Sequence, residues 1–196
     1  MGRQIPVTFQ KHPFCSTLHP APDIGAKNHF GRIKPDKPLK WLHHKGFAKN
    51  LTMEFIIVNA STSEDTIFTN RKIAEFLVTH LEQYGDKIED IEKSIDYAMD
   101  ASKGGTILAG IENGKIIGAV VLNRTGMQGY IPENILVYIA VDSSQRGKGY
   151  GKTMMNKALS LTEGSIALHV EPDNPALHLY EKLGFTNKYL EMRLTR

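Results

Sequence analysis

Three glycines at alternate positions, Gly147, Gly149 and Gly151, lie between an apolar run that predicts a strand and a segment that predicts a helix. Glycine lets the backbone turn tightly and bring its N–H groups close to an anion, and a helix N-terminus adds partial positive charge. Three cationic side chains lie among the glycines: Arg146, Lys148 and Lys152. This combination predicts a loop that binds the phosphate groups of a ligand.

Two common nucleotide-binding patterns do not fit this loop. A P-loop needs a glycine five positions before Gly-Lys-Ser/Thr, and Arg146 occupies that position ahead of Gly151-Lys152-Thr153. Too little chain follows the loop for the strands and helices that such a domain adds after it. A dinucleotide fingerprint needs Gly-x-Gly-x-x-Gly, but Lys152 stands three residues after Gly149.

A third pattern fits, because Arg146-x-x-Gly149-x-Gly151 after an apolar strand resembles the acetyl-CoA motif of the GNAT superfamily of N-acetyltransferases. A second block, residues 174–185, is similar to the last helix of that family, with an asparagine at its start, a tyrosine within it and a terminal Gly-Phe. The resemblance covers residues 53–196. It implies an enzyme that uses acetyl-CoA as co-substrate.

The resemblance also implies an α/β fold, with a mixed, strongly bent sheet and helices on both faces. The strand ending at Val141 and a strand over residues 166–170 begin adjacent and then splay apart, and coenzyme A lies in the cleft between them. The backbone N–H of Val141 is the implied donor to the acetyl carbonyl. The implied cofactor-binding residues are Ile139, Ala140, Val141, Arg146, Gly147, Lys148, Gly149, Tyr150, Gly151, Lys152 and Asn174.

Tyr180 is the implied catalytic residue, as the donor that protonates the departing thiolate. A phenol with a pKa near ~10 is a plausible donor to a thiolate whose conjugate acid has a pKa near ~8.5. Ala176, Leu179, Tyr180 and Leu183 also form a helical stripe, so a core aromatic is the alternative interpretation. Asn174 is expected both to cap this helix and to contact the cofactor.

The sequence leaves the general base and the acceptor open. The strand 135–141 contains no carboxylate that could act as a base. Glu133 is as well explained as an exposed loop carboxylate, and His169 and His178 as structural or solvated side chains. The acceptor is expected to enter between the early helices and the loop 124–134, where Tyr130 and Glu133 could meet an ammonium group. A small amine or amino acid is the first prediction for the acceptor, and a protein N-terminus or lysine is the second. A non-catalytic sensor that binds acyl-CoA would need the same phosphate loop.

Composition limits the class of protein. With 196 residues and 41% apolar residues, the chain can form one catalytic domain with an extension. No apolar run is long enough to predict a membrane span or a secretory signal, so no membrane partner is expected and the cytoplasm is the predicted location. The only cysteine, Cys15, excludes an intramolecular disulfide. The oligomeric state stays open, a dimer included.

The net charge of +3 is unevenly distributed. Residues 1–52 contain nine Lys/Arg and two Asp, whereas residues 53–196 contain fifteen Lys/Arg and nineteen Asp/Glu. The basic character therefore belongs to the extension, and no nucleic-acid partner is expected for the catalytic domain. No metal is expected either, because His12, Cys15 and His19 lack a fourth ligand.

Residues 1–52 contain six of the nine prolines and show no helical or strand periodicity. They are interpreted as an irregular basic extension to a GNAT domain at residues 53–196. One hypothesis is that Met53 is the natural start and that the extension is not native.

The elements that must position the loop follow from hydrophobic periodicity and turn residues. A strand over 55–58 precedes two helices, the first with a capping box at 61–64 and an end at Gly85, the second over 88–99 with an end at Gly104-Gly105. Asn113-Gly114 predicts a type I′ hairpin. The remaining predicted elements are a strand over 135–141, a helix containing Met154 and Met155, a strand over 166–170 and a last helix after Asn174.

Overall fold

The computed structural model describes residues 53–196, so the predictions for the basic extension and for its histidines and cysteine lie outside the described residues. The described elements, in chain order, are β1 Glu54–Val58, α1 Asn70–Leu81, α2 Ile88–Met99, β2 Gly105–Glu112, β3 Lys115–Arg124, β4 Asn134–Val141, α3 Tyr150–Ser160, β5 Ile166–Leu168 and α4 Leu177–Lys182. Short 3-10 turns cover Glu82–Tyr84 and Ser143–Gln145.

The strands form a single five-stranded sheet in the order β1-β2-β3-β4-β5. The first three pairings are antiparallel and the β4–β5 pairing is parallel, so the sheet is mixed as predicted. Alternate residues of β2 and β3 enter two hydrophobic clusters on opposite faces. One cluster packs α1 and α2 against the sheet, and the other packs α3 and α4. Helices on both faces are thus confirmed.

Close contact between α3 and the sheet depends on two glycines. A Cβ atom at Gly110 would lie 2.7 Å from the Met154 sulfur, and one at Gly118 would lie 3.1 Å from it. Both distances are shorter than ordinary van der Waals contact. The missing side chains let α3, which begins at the glycine-rich loop, pack directly on β2 and β3.

The structure confirms the predicted hairpin, but α1 begins later in the chain than the predicted capping box. Asn113 and Gly114 have φ values of 52° and 70°, as a type I′ turn requires. The predicted capping box at 61–64 is wrong, because the Thr69 side chain caps α1 by accepting a hydrogen bond from the Lys72 N–H. Before the helix, the Asp65 carboxylate accepts from two backbone N–H groups and forms a separate turn.

β4 contains a β-bulge at Val137, just beyond the residues that pair with β5. Val121 pairs with Tyr138 and Leu122 pairs with Leu136, so Val137 has no partner on β3. Val137 and Tyr138 therefore both pack toward α1 and α2, which reverses the alternation at this point. On its other side β4 pairs with β5 only over 134–136, and β5 ends at Leu168, two residues earlier than predicted. The predicted separation of the two strands is thus present.

Candidate cofactor and catalytic site

The C-terminal half of β4 has no paired strand on the β5 side, which we call the open side of the sheet, and some of its backbone N–H groups point there. The Asp142 N–H donates to the Ile117 carbonyl at 3.0 Å, so β4 residues bond to β3 at every second position from there. Because N–H directions alternate along a strand, the N–H groups of Val141 and Ile139 point away from β3. β5 is not paired with β4 at these positions. Ala140 instead directs a buried side chain toward α1 and α2.

The loop after β4 begins with a tight turn and continues as a row of donors. The Asp142 side chain accepts from the Ser144 N–H and its main-chain carbonyl accepts from the Gln145 N–H. The Arg146 N–H donates to the Ser143 carbonyl at 3.4 Å, and the next backbone bond within the described chain is from Thr153 to the Gly149 carbonyl. The six N–H groups from 147 to 152 have no partner in residues 53–196. Such a row at a helix N-terminus can hold a phosphate anion.

Two glycines of this row have backbone conformations that suit glycine. Gly147 has φ of 75°, and Gly149, the residue before α3, has φ of 93°. Gly151 has a different role, since a Cβ atom there would lie 3.3 Å from the Leu179 side chain and 3.8 Å from that of Val141. Gly151 therefore allows the first turn of α3 to approach α4 and the end of β4.

The predicted side chains around this row point in different directions. Lys152 is exposed on the first turn of α3. Lys148 turns back, with its ammonium 2.8 Å from the Gln145 side-chain oxygen. The Arg146 guanidinium lies against the end of α1. Tyr150 is only 4% exposed and donates to the Glu112 carboxylate at 2.6 Å, so its backbone N–H alone faces the loop.

Tyr180 is packed in the cluster between the sheet, α3 and α4. The side chain is 7% exposed, and its ring meets Phe185 edge-on at a centroid distance of 5.9 Å. Its hydroxyl forms no hydrogen bond with another residue in the described part of the chain. Burial raises the pKa of Tyr180 to about 12. The phenol is therefore neutral at physiological pH, and its O–H is free to donate to a ligand.

Asn174 lies just before α4 rather than at the position that caps it. The helix begins at Leu177 and its capping residue is Ala176, which has no side-chain hydrogen bond. The side-chain carbonyl oxygen of Asn174 accepts a hydrogen bond from the Ala176 N–H at 2.9 Å. The prediction that Asn174 caps α4 is wrong, because Ala176 occupies the N-cap position. Asn174 instead stabilises the turn that precedes the helix.

Glu133 holds the loop that precedes β4. Its carboxylate accepts from the Ser165 N–H at 2.7 Å and from the Gly129 N–H at 3.4 Å, and these backbone donors lower the pKa of Glu133. A carboxylate with its acceptors used in this way is a weak base. Tyr130, at the tip of the same loop, is 82% exposed. The side chains of His169 and His178 are exposed, at 57% and 78%.

A carboxylate that the sequence did not indicate lies beside β4. Tyr138 is 8% exposed and its hydroxyl donates to the Asp86 carboxylate at 2.7 Å. Burial and the neighbouring Asp86 carboxylate raise the pKa of Tyr138. Asp86 itself is exposed, in the connection between α1 and α2. Sequence spacing gave no signal for this pair, because 52 residues separate its members.

Other features of residues 53–196 bear on membrane, metal and ligand binding. No described helix is long and apolar enough to cross a membrane. Within residues 53–196, no three His, Cys, Asp or Glu side chains are grouped to hold a metal ion. A depression of about 300 Å³ between α1 and α2 contains none of the predicted site residues and is lined by Asn70, Arg71, Glu92, Ile95 and Asp96.

Comparison with known families finds one match that spans most of the described region. Residues 72–185 match the model of the Acetyltransferase (GNAT) family. The matched segment contains the loop after β4, α4 and both strands that splay apart.

Individual relatives are more distant. The chain is 37% identical over 65 residues to spermidine N(1)-acetyltransferase of Vibrio cholerae serotype O1, over 30% of this chain and 38% of that protein. A possible acetyltransferase from Clostridium difficile 630 shares the fold, with 18% identity, a TM-score of 0.52 and coverage of 74% of this chain and 97% of the other. An aminoglycoside acetyltransferase, HMB0005, from a soil metagenomic sample has 16% identity, a TM-score of 0.51 and coverage of 74% and 99%.

Proposed function

Because the chain belongs to the acetyltransferase (GNAT) family and is an acyltransferase, we propose that it transfers the acetyl group of acetyl-CoA to a primary amine of a small molecule. One observation carries the proposal: the row of N–H groups at 147–152 follows the end of β4 after one short turn, and the Val141 N–H at that end points away from β3. These two sets of donors support the binding of a pyrophosphate and of a thioester carbonyl.

In the proposed reaction the amine attacks the thioester directly. A nitrogen–carbon bond forms, the carbon–sulfur bond breaks, and the electron pair leaves with the sulfur as a thiolate. The Val141 N–H stabilises the negative charge that develops on the carbonyl oxygen. The proton lost by the amine leaves to solvent, since no carboxylate on β4 is available to accept it.

Tyr180 is proposed to stabilise the thiolate by a hydrogen bond. With a pKa of about 12, the phenol is a weaker acid than a thiol of pKa ~8.5, so complete proton transfer is uphill by about 5 kcal/mol. A donated hydrogen bond needs no such transfer and strengthens as charge grows on the sulfur. Solvent then supplies the proton that completes the thiol.

The acceptor proposed within this class is a polycationic amine. Asp86 places an exposed carboxylate next to β4 on the face opposite α3, and residues 53–196 carry a net negative charge. An anionic approach attracts a polycation and orients it. Relatives named as spermidine and aminoglycoside acetyltransferases point to acceptors of this type.

A thiol-release assay with acetyl-CoA and the full chain tests the proposal. The amines to compare are spermidine, spermine, an aminoglycoside, free amino acids and short peptides with free N-termini. Turnover of the polyamines or the aminoglycoside above the rest is expected. Turnover of peptides alone would refute the small-molecule acceptor. Acetyl-CoA binding by calorimetry without turnover of any amine would support a sensor and refute the enzymatic proposal.

A further inference from the structure

Arg146 uses its charge and its hydrogen bonds within the protein. Its guanidinium lies 3.1 Å from the Glu82 carboxylate and donates to the His80 carbonyl at 2.5 Å. A third, longer contact of 3.4 Å joins its Nε to the Val141 carbonyl. Three acceptors from two different elements therefore surround one planar cation, which is the arrangement that a guanidinium satisfies and an ammonium does not.

These contacts join the end of α1 to the end of β4. His80 is the penultimate residue of α1, and Glu82 follows the last residue of that helix. The His80 ring also accepts a hydrogen bond from the Ser143 N–H at 3.2 Å, on the first residue of the turn after β4. The end of α1 thus forms hydrogen bonds with Ser143, which begins that turn, and with Arg146, which follows it.

The backbone at Glu82 fits a specific role for its side chain. Glu82 has φ of 56° and ψ of −131°, a conformation that glycine adopts more easily than glutamate. A glutamate in this position costs folding free energy that a glycine would not. The ion pair between the Glu82 carboxylate and Arg146 offsets part of that cost.

We propose that Arg146 and Glu82 form a positioning pair that fixes the end of β4 and the start of the phosphate loop, and that Arg146 is not itself a phosphate ligand. The inference rests on the proposed binding of acetyl-CoA. In this arrangement the row of N–H groups at 147–152, with the exposed Lys152, meets the pyrophosphate. Arg146 acts on catalysis through Val141, whose carbonyl it contacts and whose N–H faces the open side of the sheet.

The sign of the Glu82→Gln effect separates the two roles of Arg146. If Arg146 positions the loop, Glu82→Gln weakens acetyl-CoA binding by about threefold to fivefold, the size expected of a half-exposed ion pair. If Arg146 binds phosphate directly, Glu82→Gln releases the arginine and binding becomes tighter. Calorimetry of the full chain with acetyl-CoA measures the change, and unchanged or tighter binding would overturn the proposal.

Substitutions of Arg146 give a second, independent readout. Arg146→Lys keeps the charge but cannot reach all three acceptors, so a positioning role predicts that it binds acetyl-CoA as weakly as Arg146→Gln, within about twofold. The double variant with Glu82→Gln should bind no more weakly than Arg146→Gln alone, because both changes remove one interaction. Rescue of binding by Arg146→Lys, or additive losses in the double variant, would refute the pairing.

A matched ion pair in α1 provides the control. Arg71 lies 2.9 Å from Glu75 in the first turns of α1 and 2.6 Å from Glu92 of α2, and its side chain is somewhat more exposed than that of Arg146, at 57% against 45%. Arg71→Gln and Glu75→Gln should leave acetyl-CoA binding unchanged. In the Glu82 and Arg146 variants, kcat at saturating acetyl-CoA should fall as well as affinity, since Val141 is displaced. A wild-type chain that binds no acetyl-CoA would refute the proposed function, whereas tighter binding by Glu82→Gln would refute the positioning pair alone.

Discussion

Replacing Tyr180 with phenylalanine separates its packing role from its proposed catalytic role. Phenylalanine keeps the ring that packs against Phe185 and removes only a hydroxyl that has no partner among residues 53–196. Removal of an unpaired polar group should leave the free energy of unfolding within about 0.5 kcal/mol of wild type. Tyr180→Phe should therefore melt within about 2 °C of wild type.

The same substitution should slow the reaction. A hydrogen bond to a charged group contributes about 1.5–3 kcal/mol, so its loss predicts a fall in kcat of about 10-fold to 150-fold. Since the pKa of Tyr180 is about 12, the phenol stays neutral throughout pH 6–9 and the ratio of wild-type to variant kcat should be constant over that range. Thiol release at saturating acetyl-CoA and acceptor measures this ratio.

Tyr138→Phe is the matched control for stability. It removes a hydroxyl that donates to Asp86 at 2.7 Å, so it should lower the free energy of unfolding by about 1–2 kcal/mol. A kcat of Tyr180→Phe within twofold of wild type would refute the hydrogen bond to the thiolate. Equal destabilisation by the two substitutions would refute the conclusion that the Tyr180 hydroxyl is unpaired.

Three other substitutions test the loop, the acceptor side and the support of β4. Gly149→Ala places a Cβ at φ of 93°, which costs about 1–2 kcal/mol, and acetyl-CoA affinity by calorimetry should fall about 10-fold. Asp86→Asn should raise KM for spermidine about threefold to tenfold without changing acetyl-CoA affinity, and an unchanged KM would remove Asp86 from the acceptor site. Glu133→Gln should lower Tm at pH 7. The folded-state pKa of Glu133 is lowered, so its stabilisation is present above the unfolded pKa, and the difference in Tm should disappear as pH falls through the folded pKa.

The sequence predicted those elements whose signals are local. The hairpin at Asn113-Gly114 and α3 after the glycine-rich loop are where periodicity and turn residues place them. The capping prediction for α1 failed because the Ser61 N–H bonds to the Asn59 side chain and the Glu64 carboxylate accepts from the Asn70 N–H, while Thr69 caps the helix. Residue spacing alone does not decide between such competing acceptors.

Features that depend on distant residues were not predictable in the same way. The Tyr138–Asp86 pair joins β4 to the α1–α2 connection, and both residues have ordinary local explanations, a core strand position and a polar loop. The motif predicts that Arg146 binds the cofactor, but it gives no signal for the contacts of Arg146 with Glu82 and His80, which lie some 65 residues earlier in the chain. Tertiary packing decides which acceptor a long cation reaches.

The bulge at Val137 lies where the pairing of β4 with β5 ends, and the available donors of β4 lie beyond it. Without it, strict alternation would return Tyr138 to the face of α3 and α4 and remove its hydroxyl from Asp86. Beyond the bulge, β4 continues to Val141 while β5 ends at Leu168, so the Ile139 and Val141 N–H groups lose the neighbour that a regular parallel pair would provide. Unpaired backbone donors need partners. An extended acyl chain with its own amide and carbonyl oxygens can supply acceptors in place of the missing strand, which links the irregularity in β4 to the proposed binding of acetyl-CoA.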